Sequence, residues 1–145
     1  MKRQRPQASD PVELAARALR YRDRSRSQID ERLARAGVED AHRADALAAL
    51  ERIGYVDDVR YAGRRAESLA ERGYGDEAIS ALLAADGVAP AVAADAVAAL
   101  RPEAERAAAL VARLGASPRT AARLARKGFG AEAVEAAAGG FATEG

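Results

Sequence analysis

Residues 25–37 read Ser-Arg-Ser-Gln-Ile-Asp-Glu-Arg-Leu-Ala-Arg-Ala-Gly. Ser25 and Gln28 have the spacing of a capping box, in which the serine side chain accepts the N–H three residues on and the glutamine side chain reaches back, so a helix opens here. Ile29 and Leu33 stand four apart on one helical face, and Gly37 supplies a left-handed stop. Sliding forward by 50 residues and then by 41 brings the pattern back, with Leu33 falling on Leu83 and Leu124 and Gly37 on Gly87 and Gly128. The same register extends upstream through Ala16, Ala66 and Ala107, through Leu19, Leu69 and Leu110, and through Arg22, Arg72 and Arg113. The first two copies also match Ile29 with Ile79, Val38 with Val88, Leu47 with Val97 and Leu50 with Leu100. Self-similarity at such a period marks a repeat architecture whose units contact mainly their neighbours.

Working outward, glycine and proline cut the chain into helix-length pieces, and strand-like alternation is missing throughout. Asp10-Pro11-Val12-Glu13 opens a helix expected over 11–23. Others are expected from Ser25 to Gly37, over 40–53, from Asp57 or Asp58 to Gly73, from Gly75 or Asp76 to Gly87, and from Pro90 to the residues before Pro102. A helix from Pro102 to Gly115, one from Ser117-Pro118 to Gly128, and a short one near Ala131 complete the set. The fold class expected is all-α, an elongated, curved tandem array of three three-helix repeats over 11–54, 55–101 and 102–139. A basic tail over 1–10 and a last segment over 140–145 are expected to be disordered. The third unit is weaker, with Thr120 where Ile29 and Ile79 stand and Ala138 where Leu47 and Val97 stand, so its last helix should be short and frayed.

Composition agrees with thin helical cores. Of the 145 residues 40 are alanine, and Leu, Ile, Val and Phe together number only 26. Such scarcity borders on the disorder range, but the net charge of +1 and the helix propensity of alanine oppose disorder. The absence of cysteine excludes disulfides, thiolate metal sites and cysteine nucleophiles. No run approaches the roughly 20 apolar residues of a membrane helix and no signal segment is evident, so a cytoplasmic protein is expected.

Charge is segregated behind that near-neutral total. Residues 1–36 carry net +5, residues 37–112 net −6, and residues 113–130 five cations without an acid. Arg119, Arg123, Arg126 and Lys127 fall at i, i+4, i+7 and i+8, a single helical face suited to an anionic partner. Arg17, Arg20 and Arg24 form a similar stripe opposite Leu14, Ala15, Ala18 and Leu19, and Arg26 extends it. Arg60 and Arg64, with Arg65, lie among Glu67 and Glu71, so much of their charge is matched within the helix and a solvated face is favoured over contact there. Arg22, Arg72 and Arg113 recur at helix ends, where bonding to the last carbonyls or bracing the unit is the expected role. Asp57 and Asp58 suit a helix cap better than a metal pair, because further oxygen ligands at loop spacing are missing. Tyr55 and Tyr61 flank that cap and are expected to pack.

Three stretches resemble the RecX family of recombinase regulators. They are Arg22-Asp23-Arg24-Ser25-Arg26-Ser27-Gln28-Ile29, the junction Gly54-Tyr55-Val56-Asp57-Asp58-Val59-Arg60-Tyr61-Ala62, and Ile79 through Leu83 to Gly87-Val88. The ending Leu124-Ala125-Arg126-Lys127-Gly128-Phe129 is similar to the family's closing element, and the resemblance covers about residues 11–138. Gln28 and Ile29 replace the family's usual Glu-Leu, conservatively for cap and core. The resemblance implies a small, non-enzymatic cytoplasmic protein that binds the RecA recombinase filament on DNA and restrains its ATP hydrolysis, strand exchange and growth. Basic faces around an acidic middle favour a mixed protein and DNA surface, with weak, non-specific contact to single- or double-stranded DNA, and a monomer is expected.

Two other readings stay open on the residues alone. A stand-alone helix-turn-helix-like DNA-binding protein would also show short helices around glycine turns, although no third helix carries a base-reading set of Asn, Gln, Ser and Arg. A helical adaptor for an acidic partner is the other. His42 is the sole histidine and lies in a charged helix, and neither a catalytic constellation nor a phosphate-cradling glycine loop occurs, so no catalytic residue, cofactor or metal is expected.

Overall fold

The computed structural model describes residues 10–139; of the tail expected over 1–10 only Asp10 is described, and residues 1–9 and the segment expected over 140–145 lie outside them. Among the described residues there are nine helices and no strand: α1 (Pro11–Tyr21), α2 (Arg26–Arg35), α3 (Asp40–Arg52), α4 (Asp58–Glu71), α5 (Asp76–Ala85), α6 (Pro90–Ala98), α7 (Glu103–Leu114), α8 (Pro118–Arg126) and α9 (Ala131–Ala137).

Local chemistry sets most helix ends. Ser25 and Gln28 complete both halves of the capping box, with the Gln28 N–H donating to Ser25 Oγ at 3.1 Å and the Ser25 N–H to Gln28 Oε1 at 3.0 Å. Asp10 Oδ1 accepts the Val12 N–H, and Ser117 Oγ accepts the Thr120 N–H. Asp57 Oδ1 accepts the Arg60 N–H at 3.1 Å. α1 is two residues shorter than expected because Arg22 turns extended, at φ −170° and ψ 156°, and Arg24 Nε then donates to the freed carbonyl of Ala18 at 3.4 Å. Pro102 stands just ahead of α7 rather than inside it. α9 is seven residues long.

The contacts divide the chain into two compact units, one running to Tyr61 together with Asp86–Val88, the other comprising Ala62–Ala85 and the chain from Ala89. In the first, α1, α2 and α3 each touch the other two around Ala15, Ala18, Ile29, Leu33, Ala46, Leu47, Leu50 and Val56. Small alanines let the short helices approach closely, and the leucines and Ile29 supply most of the apolar area. In the second unit α5 packs on α6, and α7, α8 and α9 surround Ala107, Ala121, Leu124, Phe129 and Ala137. Thr120, buried at the isoleucine position, donates its hydroxyl to the Gly115 carbonyl at 2.6 Å, which offsets the cost of burying it.

One tertiary device occurs in both units. In the first, the start of α2 seats on the turn Asp86–Val88: Ser25 Oγ donates to the Asp86 carbonyl at 2.6 Å, and a Cβ at Gly87 would overlap Ser27. In the second, the start of α5 seats on the turn after α8: the Gly75 N–H donates to the Lys127 carbonyl at 2.7 Å, and a Cβ at Gly128 would overlap Ala78. Both glycines have φ near +85°, so position and conformation each demand glycine (84° and 87°). Carboxylates close the same helix starts. Asp58 Oδ1 accepts the Arg26 N–H at 2.8 Å; Glu103 Oε1 accepts the Asp76 N–H at 2.8 Å, and its Oε2 the Gly130 N–H at 3.1 Å.

Candidate anion-binding cleft

The C-terminal ends of α4, α7 and α8 line a cleft of about 210 Å³ in the second unit. Arg72 follows α4 directly, Arg113 lies in the last turn of α7, Arg123 in the last turn of α8, and Lys127 ends α8. Arg101 and Arg106 complete the cationic wall, Leu110, Leu124 and Phe129 the apolar part, and Glu71 is the acid among the lining residues.

These cations are not equivalent. Arg106 is internal: Nε donates to the Arg101 carbonyl at 2.9 Å, Nη1 to the Tyr74 carbonyl at 3.0 Å, and Nη2 pairs with Asp76. Its guanidinium also lies 6.0 Å from the centre of the Phe129 ring. Arg101 pairs with Glu105 at 3.3 Å, an exposed contact worth little. Lys127 Nζ stands 4.0 Å from the centre of the Tyr74 ring, a cation–π contact that holds it at the cleft. Arg72, Arg113 and Arg123 are exposed and make no side-chain hydrogen bond or ion pair among the described residues. Part of this charge offsets the helix ends, each of which carries roughly half a negative charge. The four full charges of Arg72, Arg113, Arg123 and Lys127 still exceed those three ends and Glu71 combined, so the cleft is net positive.

The expected stripe on α8 is therefore shared between two surfaces. Arg119, Arg123 and Arg126 line a second, shallower depression of about 440 Å³ with Leu114, Ser117 and Thr120, and Arg123 borders both concavities. Lys127 turns toward Tyr74. Arg72 and Arg113, expected to bond the last carbonyls or brace the unit, stand at the ends of α4 and α7 and also line the cleft. Their recurrence at one register position was the available signal, and it reads equally well as structure or as site.

In the first unit Arg17 and Arg20 are exposed on α1, as is Arg22 just beyond it. Arg24 is half-buried, and its pKa is lowered by burial first and then by the neighbouring charges of Arg32, Arg22 and Arg35, with Tyr61 opposing. Arg26 pairs with Glu51 at 3.4 Å. Arg60 donates to the carbonyls of Gly54 at 2.9 Å and Tyr55 at 3.3 Å, so it closes the turn before α4 rather than facing solvent freely. Arg64 is exposed on α4. Asp57 and Asp58 each cap a helix start, Asp57 its own and Asp58 that of α2. Tyr61 is buried, 6% exposed, and donates its hydroxyl to Asp86 Oδ2 at 2.6 Å. Tyr55 departs from expectation at 53% exposed, because the turn after α3 directs Val56, one residue on, into the core.

Among the described residues no group of three His, Asp, Glu or Cys side chains could hold a metal ion, and no helix is long and apolar enough to cross a membrane. The cleft is also smaller than the usual 300–1,000 Å³ of a small-molecule site.

Fold and cleft define an all-helical repeat protein with a basic concavity. No protein-family model matches the sequence. The regulatory protein RecX of Stenotrophomonas maltophilia strain K279a is 32% identical over 87 residues, covering 60% of this chain and 53% of that one. RecX of Acidithiobacillus ferrooxidans strain ATCC 53993 / BNL-5-31 is 39% identical over 67 residues, 46% of this chain and 45% of its own. The chain thus spans about half the length of the curated relatives it matches. The crystal structure of RecX from Lactobacillus salivarius superposes with a TM-score of 0.76 at 18% identity, covering 90% of this chain and 93% of that one. A second RecX crystal structure gives 0.75 at 21%, covering 90% and 72%. These likenesses establish the fold, and the sequence matches, each over about half of the relative's length, make the chain similar to regulatory RecX proteins.

Proposed function

We propose that this protein is a regulator of the RecA recombinase, binding the RecA filament on DNA and restraining its ATP hydrolysis, strand exchange and growth. The observation that carries this reading is the sequence match to regulatory RecX proteins. The net-positive cleft of the second unit adds a surface on which an anionic partner would be held. In this reading the protein acts in the cytoplasm, as a monomer and without catalysis of its own, through three-helix repeats over 11–54, 55–101 and 102–139. Arg17, Arg20, Arg24 and Arg26 on the first repeat, and Arg119, Arg123, Arg126 and Lys127 on the third, are the proposed contacts. Arg60 and Arg64 are secondary, since Arg60 is already engaged with the turn carbonyls.

The test is a titration of purified protein into RecA's DNA-dependent ATPase and strand-exchange reactions. Inhibition at near-stoichiometric ratios is expected. Unchanged rates at those ratios would sink the reading.

A further inference from the structure

The regulator reading leaves unassigned what enters the cleft. Arg72, Arg113 and Arg123 offer guanidinium groups that are unpaired among the described residues around one concavity, and Lys127 stands beside them on Tyr74. The geometry points to a binding site for the phosphodiester backbone of single-stranded DNA, with Arg72, Arg113 and Arg123 as the phosphate contacts.

Three features choose this ligand. First, planar guanidinium forks suit tetrahedral or planar anions, phosphate above all. Second, the cleft of about 210 Å³ has room for a phosphate and its adjoining sugar. Third, the cleft does not end at its own rim. Arg123 is shared with the depression that Arg119 and Arg126 line, and the sequence holds no acid from Arg113 to Ala131. A ligand with a charge on every unit matches such an unbroken track, whereas an acidic peptide would need an equally unbroken run of acids.

The cleft also predicts how the strand is read. Base-stacking sites offer open aromatic faces, but here Lys127 covers Tyr74 and Phe129 is buried. Binding is therefore to the backbone and indifferent to base.

This inference deepens the functional reading above, since a filament on DNA would present such a strand. The experiment is fluorescence anisotropy of labelled oligo-deoxythymidine and oligo-deoxyadenosine across a salt series, without RecA. The two oligonucleotides should bind alike, and affinity should fall with salt at a log-log slope of about −0.7 per neutralised phosphate. The triple variant R72Q/R113Q/R123Q should lose roughly tenfold or more in affinity at low salt and about 2 from the magnitude of that slope. The charge-keeping R72K/R113K/R123K should retain the slope, and R35Q, at an exposed ion pair with Glu31 on α2, should leave it unchanged. Charge reversal R123E gives a second, single-site reading of the same effect. An unchanged slope in the glutamine variant with native circular dichroism would overturn the site, as would a several-fold preference for one base. Displacement of the strand by a poly-glutamate peptide at equal charge concentration would also overturn it, assigning the cleft to acidic peptides. Failure of the RecA titration with DNA binding intact would remove the regulator reading alone; loss of this site with RecA inhibition intact would remove this one alone.

Discussion

Glu103 Oε1 accepts a hydrogen bond from the backbone N–H of Asp76 at 2.8 Å, and Asp58 Oδ1 accepts one from the backbone N–H of Arg26 at the same distance. The first residue of one helix thus caps the start of another, 27 residues back in one case and 32 in the other. Glu103 does more than Asp58, since its second oxygen takes the Gly130 N–H. Glu103→Ala should therefore destabilise the protein by about 1–3 kcal/mol, and Asp58→Ala by about 0.5–2 kcal/mol. Urea unfolding followed by circular dichroism measures both, and equal midpoints for Glu103→Ala and the parent would show that the caps carry no stability.

Gly37, Gly87 and Gly128 occupy one register position with positive φ, yet only the last two have a neighbour where a Cβ would stand. Gly37→Ala should cost about 1–2 kcal/mol, the left-handed penalty alone. Gly87→Ala and Gly128→Ala should cost more, because Ser27 and Ala78 must also yield. Thermal melts of the three variants separate conformational strain from overlap; three equal losses would mean that the seats relax freely.

The two junction tyrosines should behave oppositely. Tyr61→Phe removes the hydroxyl bond to Asp86 and should cost about 0.5–1.5 kcal/mol. Tyr55→Ala at an exposed turn should stay within about 0.5 kcal/mol of the parent. A larger loss at Tyr55 in a melting experiment would point to a packed role there.

Leu124 is the most buried large side chain of a core otherwise built largely from alanine, with Phe129 beside it. Leu124→Ala should cost about 2–5 kcal/mol. Hydrogen exchange should show protection lost across α7, α8 and α9 together, because those three helices share that core. Loss confined to α8 would contradict a shared core.

Legibility in the sequence tracks how local the deciding chemistry is. Ser25 with Gln28, Ser117 with Pro118, and the glycines after α2, α5 and α8 act over a few residues, so helix starts and stops were readable to within a residue or two. α1 ends early because Arg22 turns extended, and the carbonyl this frees is met by Arg24, six residues beyond it, which no local motif announces. Tyr55 and Val56 are one position apart, and only the geometry of the turn decides which enters the core. For the candidate site, the α8 stripe was visible as spacing. Arg72 and Arg113 were visible as recurrences, but their meeting with Arg123 depends on three helix ends converging, a tertiary event.

The seating of a helix start on a glycine turn uses mainly main-chain groups and the smallest side chains: the Gly75 amide, the carbonyls of Asp86 and Lys127, a serine hydroxyl and an alanine methyl. Main-chain donors and acceptors persist through any replacement of side chains. Mutational drift can therefore rewrite most of the exterior of such a protein while its joints survive, provided that a handful of positions stay small. The same economy makes those positions intolerant, so lesions there should be rare among functional variants even though they touch no ligand.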